Sequence, residues 1–279
     1  MRNGLRHPSV IIGLIMLAFM ILFALVGPLV ISRSPLTNNL ADALAPMSWA
    51  HPLGTDQYGR DVFARVVFGA HISLQVAASV VVISLSIGTV IGALAGFVGG
   101  RTERVIVAII NVMMAFPAFL LALALVAARG SSLESVIFAV ATAYTPRVAS
   151  VMRGVVLTIK PRPFIEASVS LGMSPARVLF RHIIPNSLPP VIVVATVSAA
   201  TAILGEAGLS YLGLGVQPPT PTWGNIIADG QPYLTSHPGI CLSAGLCVAL
   251  TVIALNVLGD GLRDVLDPTN RKNTSVKML

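Results

Sequence analysis

The sequence predicts an all-α integral membrane protein with six transmembrane helices. Hydrophobic residues make up 55% of its 279 positions and charged residues 10%, against roughly 25% charged in an ordinary soluble domain. A chain with a mean hydropathy of +0.85 has too few polar side chains to cover its surface in water, so its solvent is predicted to be lipid. Apolar runs also recur at the length, about 20 residues, that crosses a hydrocarbon core as a helix.

Six apolar runs meet this length requirement. In chain order they occupy residues 10–31, 73–99, 105–128, 135–157, 187–205 and 238–259. The fourth run contains two charged residues, Arg147 and Arg153, and the fifth ends just before Glu206. The first run is longer than the apolar core of a signal peptide, which has about 7–15 residues. We therefore interpret it as a span that is not cleaved.

The distribution of lysine and arginine predicts the orientation of these spans. With the N-terminus in the cytosol, 14 of the 18 basic residues fall in inner segments, and the outer segments keep Arg33, Arg60, Arg65 and Arg129. Both termini are therefore expected in the cytosol. Because the basic residues lie at the ends of spans and form no dense block, the net charge of +7 indicates membrane topology and not nucleic-acid binding.

This arrangement predicts three divisions of the chain. Residues 1–72 hold the first helix and a long outward-facing segment, residues 73–268 form a core of five helices, and residues 269–279 form a cytosolic tail. A second outward segment occupies about residues 210–237. The long inward connection, residues 158–186, joins the fourth and fifth spans, and we call it the inner loop.

The inner loop is predicted to begin with a short helix. Pro163 suits the first turn of a helix, which places Glu166 near its positive N-terminal end. Ala167 and Ser168 are expected to form a small-residue face that another protein can approach closely. Gly172 is then expected to end this helix, because glycine is the residue most common after a helix C-terminus.

A second short helix is predicted to follow in the same loop. Ser174 and Pro175 supply an N-cap and a first-turn residue, and Pro185 is expected to stop this helix before the fifth span. Two short helices joined by a glycine predict a projection that contacts a cytosolic partner. The alternative is an amphipathic segment that lies on the lipid surface.

The spacing of residues in the inner loop resembles the EAA loop of permease subunits from binding-protein-dependent ABC importers. The matching residues are Glu166, Ala167, Ser168, Gly172, Arg181, His182, Ile184 and Pro185. Ser168 stands where the motif usually has alanine. Three further stretches resemble the C-type subunit of the dipeptide, oligopeptide and nickel branch. They are HPLGTD with GRD in residues 51–61, LSYLGLG with WG in residues 209–224, and NVLGD with LRD and DP in residues 256–268.

This resemblance, which extends over residues 8–268, implies a fold, a set of partners and a location. The fold would be that of a type I ABC importer permease (MetI-like), in the inner membrane of a prokaryote. A homologous second permease would complete the pore, and an extracytoplasmic binding protein would deliver substrate. Two ATPase subunits would bind ATP and magnesium and dock on the matching residues of the inner loop, while this chain would hold no cofactor. The solute would be a dipeptide or oligopeptide, with nickel, glutathione or another small solute as alternatives.

The sequence contains no recognisable catalytic motif, which agrees with a non-catalytic subunit. None of its three lysines follows a glycine, so the Walker A phosphate loop is missing, and zinc-protease and hydrolase motifs are missing too. The five histidines have no metal-ligand spacing. A stand-alone secondary transporter or channel, the alternative class, is expected to show polar residues at the midplane and repeated broken helices. An intramembrane enzyme is disfavoured by the missing motifs.

Two charged residues and one glycine pattern lie within or beside the spans. Glu206 either lines the translocation pathway or bonds to an arginine or a backbone donor inside the fold. Arg147 either extends towards the inner face or bonds to a carbonyl that Pro146 leaves free. Glycines repeat every fourth residue in the second span, at positions 88, 92 and 96. They predict a close helix contact, within the subunit or with a sister subunit.

Overall fold

The computed structural model describes residues 7–266, and this part of the chain is helical with no β-strand beyond one isolated bridge. The helices are α1 (Pro8–Val30), α2 (Val62–Val98), α3 (Gly100–Met114), α4 (Ala118–Arg129), α5 (Leu133–Ile159), α6 (Pro163–Ser170), α7 (Pro175–Val178), α8 (Ile184–Tyr211), α9 (Trp223–Gly230) and α10 (Gly239–Leu266). A π-helical turn, Leu179–Ile183, joins α7 to α8. The predicted all-α class is confirmed.

Five helical rods among the described residues are long and apolar enough to cross a membrane. They are α1, α2, α5, α10 and the continuous rod from α7 to α8. The helices α3 and α4 meet the same test only as a pair, and they bend by 87° where they join. Counting this pair as one span yields the six spans that the sequence predicts.

The third span is broken, which corrects the expectation of one helix over residues 105–128. The helix α3 ends at Met114, and Pro117 stands as the extended residue before α4. Proline has no N–H to donate and forces the preceding residue, Phe116, away from the helical conformation. The hydropathy of the run is unbroken, so apolarity alone did not reveal the break.

The second span also starts earlier than its apolar run, which begins at residue 73. In the structure α2 begins at Val62, because the Asp61 carboxylate accepts a hydrogen bond of 2.7 Å from the backbone N–H of Ala64. Such an N-cap satisfies one of the backbone donors that a helix start leaves without a partner. The first turns of α2 therefore carry charged and polar residues that a search for apolar runs excludes.

The three glycines of the second span pack against α5 within the subunit. A Cβ atom on Gly92 would overlap the carbonyl oxygen of Ala149 and lie 2.8 Å from Cβ of Met152. A Cβ atom on Gly88 would lie 2.7 Å from Cβ of Val148. Of the two predicted contacts for these glycines, the structure therefore shows the one within the subunit.

A second glycine contact joins α1 to α10. A Cβ atom on Gly13 would lie 2.6 Å from the backbone nitrogen of Leu258, and one on Gly261 would lie 2.7 Å from that of Val10. The first and last spans therefore touch backbone to backbone. This contact brings the beginning of α1 and the end of α10 to the same face of the protein.

Buried apolar residues form three clusters. One surrounds Trp223 and joins α1, α2, α8, α9 and α10. The second joins α2, α4, α5 and α8. The third, which we call the inner cluster, includes Met152 and Val156 of α5 together with Ile165, Val178 and Ile183 of the inner loop. The inner loop is thus part of the packed interior and not a free connection.

We predict that Gly92→Ala destabilises the protein by about 1–3 kcal/mol, because the added methyl group overpacks the crossing of α2 and α5. Gly245→Ala is the matched control, since a Cβ atom there meets no heavy atom within 4 Å. At an open helical site the same change stabilises a helix by up to about 1 kcal/mol. Thermal unfolding in detergent, followed by circular dichroism, should shift in opposite directions for the two variants. Equal shifts would show that the crossing has room to relax.

Candidate functional site

The inner loop forms a compact projection of two short helices. Pro163 occupies the first turn of α6, and Gly172 follows this helix with a φ angle of +77°. The N–H of Met173 donates to the carbonyl of Ser168 at 3.2 Å, and the N–H of Gly172 donates to that of Val169 at 2.9 Å. This pattern is the usual way for a glycine to close a helix C-terminus. The predicted first helix and its glycine are present, and the second helix starts at Pro175 as predicted but continues into α8.

The underside of this projection is anchored to the spans. Ile165 is 3% exposed, Val178 and Ile183 are fully buried, and all three belong to the inner cluster with Met152 and Val156 of α5. Close packing transmits displacement, because interiors packed at crystal density compress little. A force applied to the inner loop therefore reaches α5 directly.

Most of the predicted contact residues face outwards from this anchor. The exposed ones are Glu166, Ala167, Gly172, Arg181 and Pro185. His182 and Ile184 are half-buried, while Ser168 is buried. The projection therefore carries both signs of charge on its open side, with Glu166 on α6 and Arg181 in the π-helical turn.

The orientation of Ser168 corrects the expected small-residue face. Ser168 is 7% exposed, and its hydroxyl donates to the carbonyl oxygen of Phe164 at 2.8 Å. It lies three residues after the buried Ile165, and residues three apart share one side of a helix. Ala167, one position earlier, points to the open side. Ala167 alone of this pair is accessible to another protein.

The sequence analysis did not identify four exposed apolar side chains on the same projection. Phe164 is 40% exposed, Val169 58%, Leu171 80% and Phe180 62%. An apolar patch outside the packed interior indicates a surface that another molecule covers. Apolar residues are frequent around the motif in the sequence, but the sequence alone does not show which of them stay exposed in the fold.

Pro185 does not end a helix, contrary to expectation. It lies in the first turn of α8, inside the continuous rod that starts with α7. The chain instead changes to a π-helical turn, Leu179–Ile183, just before it. In the same region the side-chain amide of Asn186 donates to the carbonyl of His182 at 2.6 Å. Such turns are rare and frequently lie at functional sites.

On the opposite face four charged residues form a cluster that we call the outer charge cluster. It consists of Asp56, Arg60, Arg65 and Asp229. Asp56 accepts from Arg60 at 2.7 Å and from Arg65 at 2.5 Å. Asp229 accepts from the same two arginines at 3.2 and 2.9 Å. The sequence placed both arginines outside but did not pair them, because Asp229 lies 164 positions from Arg65.

The outer charge cluster fixes the first outward segment to α2 and α9. Asp56 is fully buried and Arg65 is 1% exposed, so the two opposite charges compensate each other away from water. Nearby, Asp61 contacts Nδ1 of His51 at 2.8 Å and the Arg33 guanidinium at 3.3 Å. The segment is therefore held by charges at several points and moves together with the start of α2.

Glu206 is buried inside the subunit, which favours the second of its two predicted roles, a bond inside the fold. It is 1% exposed and accepts from the hydroxyl of Ser210 at 2.7 Å and from that of Ser73 at 3.3 Å. The Ser73 hydroxyl in turn accepts from the backbone N–H of Trp223 at 3.2 Å. Glu206 thus bonds α8 to α2 and α9. The hydrogen-bond partners of Glu206 are hydroxyl groups, whereas the sequence analysis expected an arginine or a backbone donor.

A large open groove runs between α1, α2, α8 and α10. Its volume is about 780 Å³, and its walls are apolar except at His71, Gln75 and Thr196. Glu206 does not line it. Within residues 7–266 no group of three or more histidine, cysteine or acidic side chains is placed to hold a metal ion. The described residues therefore form an open apolar groove between four of the long helices, with no cluster of charged side chains in its walls.

Two family models match the sequence. One, described as the inner membrane component of binding-protein-dependent transport systems, matches residues 88–272. The other, described as the N-terminal transmembrane domain of oligopeptide transport permease C, matches residues 2–46. Together they cover the first span and the chain from the last part of α2 onwards, and residues 47–87 lie between the two matches.

Named relatives match over 79–94% of the chain. It is 42% identical over 263 residues to the dipeptide transport system permease protein DppC of Alkalihalophilus pseudofirmus, covering 94% of this chain and 86% of that protein. It is 38% identical over 261 residues to the oligopeptide transport system permease protein OppC of Bacillus subtilis, with the same coverage. To the glutathione transport system permease protein GsiD of Pectobacterium atrosepticum it is 42% identical, over 79% of this chain and 73% of that protein.

A solved structure shares the fold. The inward-facing MetNI methionine ABC transporter matches with a TM-score of 0.60 at 20% identity, over 72% of this chain and 96% of the matched chain. At this identity the likeness shows the fold alone. It confirms the predicted MetI-like architecture of the core.

We predict that Asp56→Asn destabilises the outward segment strongly, because Arg60 and Arg65 then share a buried site without their main counter-charge. Breaking a buried ion pair by removing one partner costs about 3–5 kcal/mol. Asp42→Asn is the control, since the Asp42 carboxylate bonds to the exposed Asn39 amide at 2.7 Å. Limited proteolysis of the segment and thermal unfolding in detergent measure the effect. Equal behaviour of the two variants would contradict a clamping role for the cluster.

Proposed function

Because the chain belongs to the inner membrane components of binding-protein-dependent transport systems, we propose that it is one permease subunit of an ABC importer for dipeptides or oligopeptides. Its several apolar helices make it a multi-pass protein of the inner membrane. The peptide solute is supported by the names of relatives that match over 94% of the chain. Glutathione and nickel are the solute alternatives, and competition against uptake of a labelled dipeptide separates them.

The observation that carries this proposal is the exposed, anchored inner loop. Its open side offers Glu166, Ala167 and Arg181 beside the apolar Leu171 and Phe180. Exposed apolar side chains together with charges of both signs suit a protein partner better than a lipid surface. In the proposed importer this side docks on a partner ATPase. Two such ATPases bind ATP and magnesium, and this chain supplies neither cofactor nor catalytic group.

The anchoring of the loop explains how the ATPase can drive the spans. Its underside shares the inner cluster with α5, and its π-helical turn runs directly into α8. When the ATPase pair closes, the loop is displaced and both spans follow. The permease thereby changes between inward-open and outward-open arrangements.

The inner loop and both termini are proposed to lie in the cytosol. The beginning of α1 and the end of α10 meet where Val10 contacts Gly261, so they lie on one face. The basic residues of the loop and of its neighbouring connection include Arg101, Arg104, Lys160 and Arg177. Excess positive charge is typical of the cytosolic side.

A homologous second permease is proposed to cover the broken span. Irregular backbone at membrane depth occurs only where protein covers it or where it lines a water-filled cavity. Residues 115–117 at the break are exposed in the isolated subunit, and α3 also exposes Val105, Ile109 and Val112. A second permease packed here encloses a pathway that the break lines.

The outward segment is proposed to receive the binding protein. It is clamped by the outer charge cluster, and it presents Leu40, Met47 and a fully exposed Trp49. Large, preorganised aromatic and apolar side chains are typical anchors of protein interfaces. A stand-alone secondary transporter is less consistent with the structure, because its broken helices would recur in corresponding halves, and the described chain has one bent pair.

We predict that Glu166→Lys combined with Gly172→Leu abolishes co-purification of the ATPase while the permease still inserts into membranes. The first change reverses charge on the open side of α6, and the second places a side chain at a φ angle of +77° that L-residues avoid. Ser168→Ala is the control, since Ser168 is buried and its removal leaves the open side intact. Retention of the ATPase by the double variant would remove the docking role of the loop.

We also predict that this polypeptide, reconstituted alone in liposomes, accumulates no labelled dipeptide against a gradient. Uphill transport requires free energy, and the chain contains no phosphate-binding motif that could take it from ATP. Addition of the second permease, both ATPases and the binding protein should start ATP-dependent accumulation. Accumulation by the single polypeptide would point to the secondary-transporter alternative.

A further inference from the structure

The helix α3 lies between two joints that packing does not lock. It begins at Gly100, directly after Gly99, and the φ angles of these two glycines are +61° and +75°. A Cβ atom on Gly100 would meet no heavy atom within 4 Å, and at its other end α3 meets the 87° break. Within α3 itself Ile110 is the one buried residue. Side-chain packing therefore holds this helix weakly.

One ion pair attaches α3 to α5. Oε1 of Glu103 accepts from Nε of Arg153 at 2.8 Å and from a terminal guanidinium nitrogen at 2.5 Å. The Glu103 side chain is 22% exposed and that of Arg153 is 33% exposed. Two donors of one planar guanidinium on one carboxylate restrict orientation as well as distance. The pair thus sets where α3 lies relative to α5.

Arg153 belongs to the part of α5 that the inner loop displaces. Its neighbour Met152 and the last residue of α5, Ile159, lie in the inner cluster together with Ile165 of the loop. The next residue, Lys160, donates to the carbonyl of Phe97 in the last turn of α2 at 2.8 Å. A continuous set of contacts therefore leads from the inner loop through α5 to Arg153.

We propose that Glu103 and Arg153 are a positioning pair that carries the movement of the inner loop to α3, and through α3 to the break at residues 115–117. This inference rests on the proposed function, because it requires that an ATPase moves the loop. Because both side chains of the pair are partly exposed, their charges can be reversed or exchanged without leaving a fully buried charge unpaired. Its loss should leave docking and ATP hydrolysis intact and uncouple them from transport.

Charge reversal in the complete importer tests this proposal. The chain, its second permease, both ATPases and the binding protein are reconstituted in proteoliposomes with radiolabelled Ala-Ala as the probe. Glu103→Arg and Arg153→Glu should each lower the dipeptide taken up per ATP hydrolysed by roughly tenfold, with an unchanged rate of hydrolysis. The exchanged double variant, Glu103→Arg with Arg153→Glu, should restore most of this ratio.

Arg104→Glu is the matched control. It makes the same charge change as Arg153→Glu, at an exposed position of α3 next to Glu103, and should leave the ratio unchanged. Failure of the exchanged variant to restore coupling, or an equal loss in Arg104→Glu, would overturn the proposal. A parallel loss of ATP hydrolysis in the single variants would overturn it as well.

A distance measurement reports the movement without any transported solute. Nitroxide labels are placed at Asn111→Cys on α3 and Leu157→Cys on α5, both exposed, in a variant without Cys241 and Cys247. Trapping with ATP and vanadate should change the distance between the two labels when Glu103 and Arg153 are unmodified and when they are exchanged. The distance should not change in the Glu103→Arg variant. The same change in Glu103→Arg would refute the pair's role. Absence of ATP-dependent uptake by the unmodified importer would instead refute the proposed function.

Discussion

The close crossing of α2 and α5 is the contact on which the other parts of the structure depend. Lipid tails are as apolar as leucine, so helices in a membrane gain little by burying apolar side chains and associate where small residues let backbones approach. Gly88, Gly92 and Gly96 provide this approach along α2. The outer charge cluster is built on the start of α2, and the inner loop is attached to the end of α5. One packed pair therefore fixes both faces of the subunit relative to each other.

The two faces differ in how their charges are held. On the outer face Asp56 and Arg65 are buried, and each arginine of the cluster contacts both aspartates, so the removal of one group leaves another without a counter-charge. On the inner face Glu103 and Arg153 are partly exposed, and water can replace either partner. The end of the subunit with the outer charge cluster is thus held by buried charges, whereas the end with Glu103 and Arg153 is held by a pair that water can reach.

Hydropathy predicted where the spans lie but not how each begins or ends. A hydropathy window of about 20 residues averages over single positions. The point where a helix begins or breaks, in contrast, can depend on a single backbone N–H group. Asp61 satisfies such a donor, so α2 starts before its apolar run. Pro117 removes one, so the third span breaks within a continuous apolar run. In the inner loop, proline and glycine act locally, so the start of each helix and the end of α6 were predictable, whereas the continuation of the second helix into α8 was not.

The sequence by itself determined the solvent, the number of spans, the position of the inner loop and the family, because these depend on apolar length and on residue spacing over a few turns. Only the tertiary structure decided which side of α6 Ser168 occupies, that Glu206 bonds to Ser73, and that Glu103 meets Arg153. Partners 50 and 133 positions apart come together through the packing of helices. Spacing along the chain carries no information about that packing.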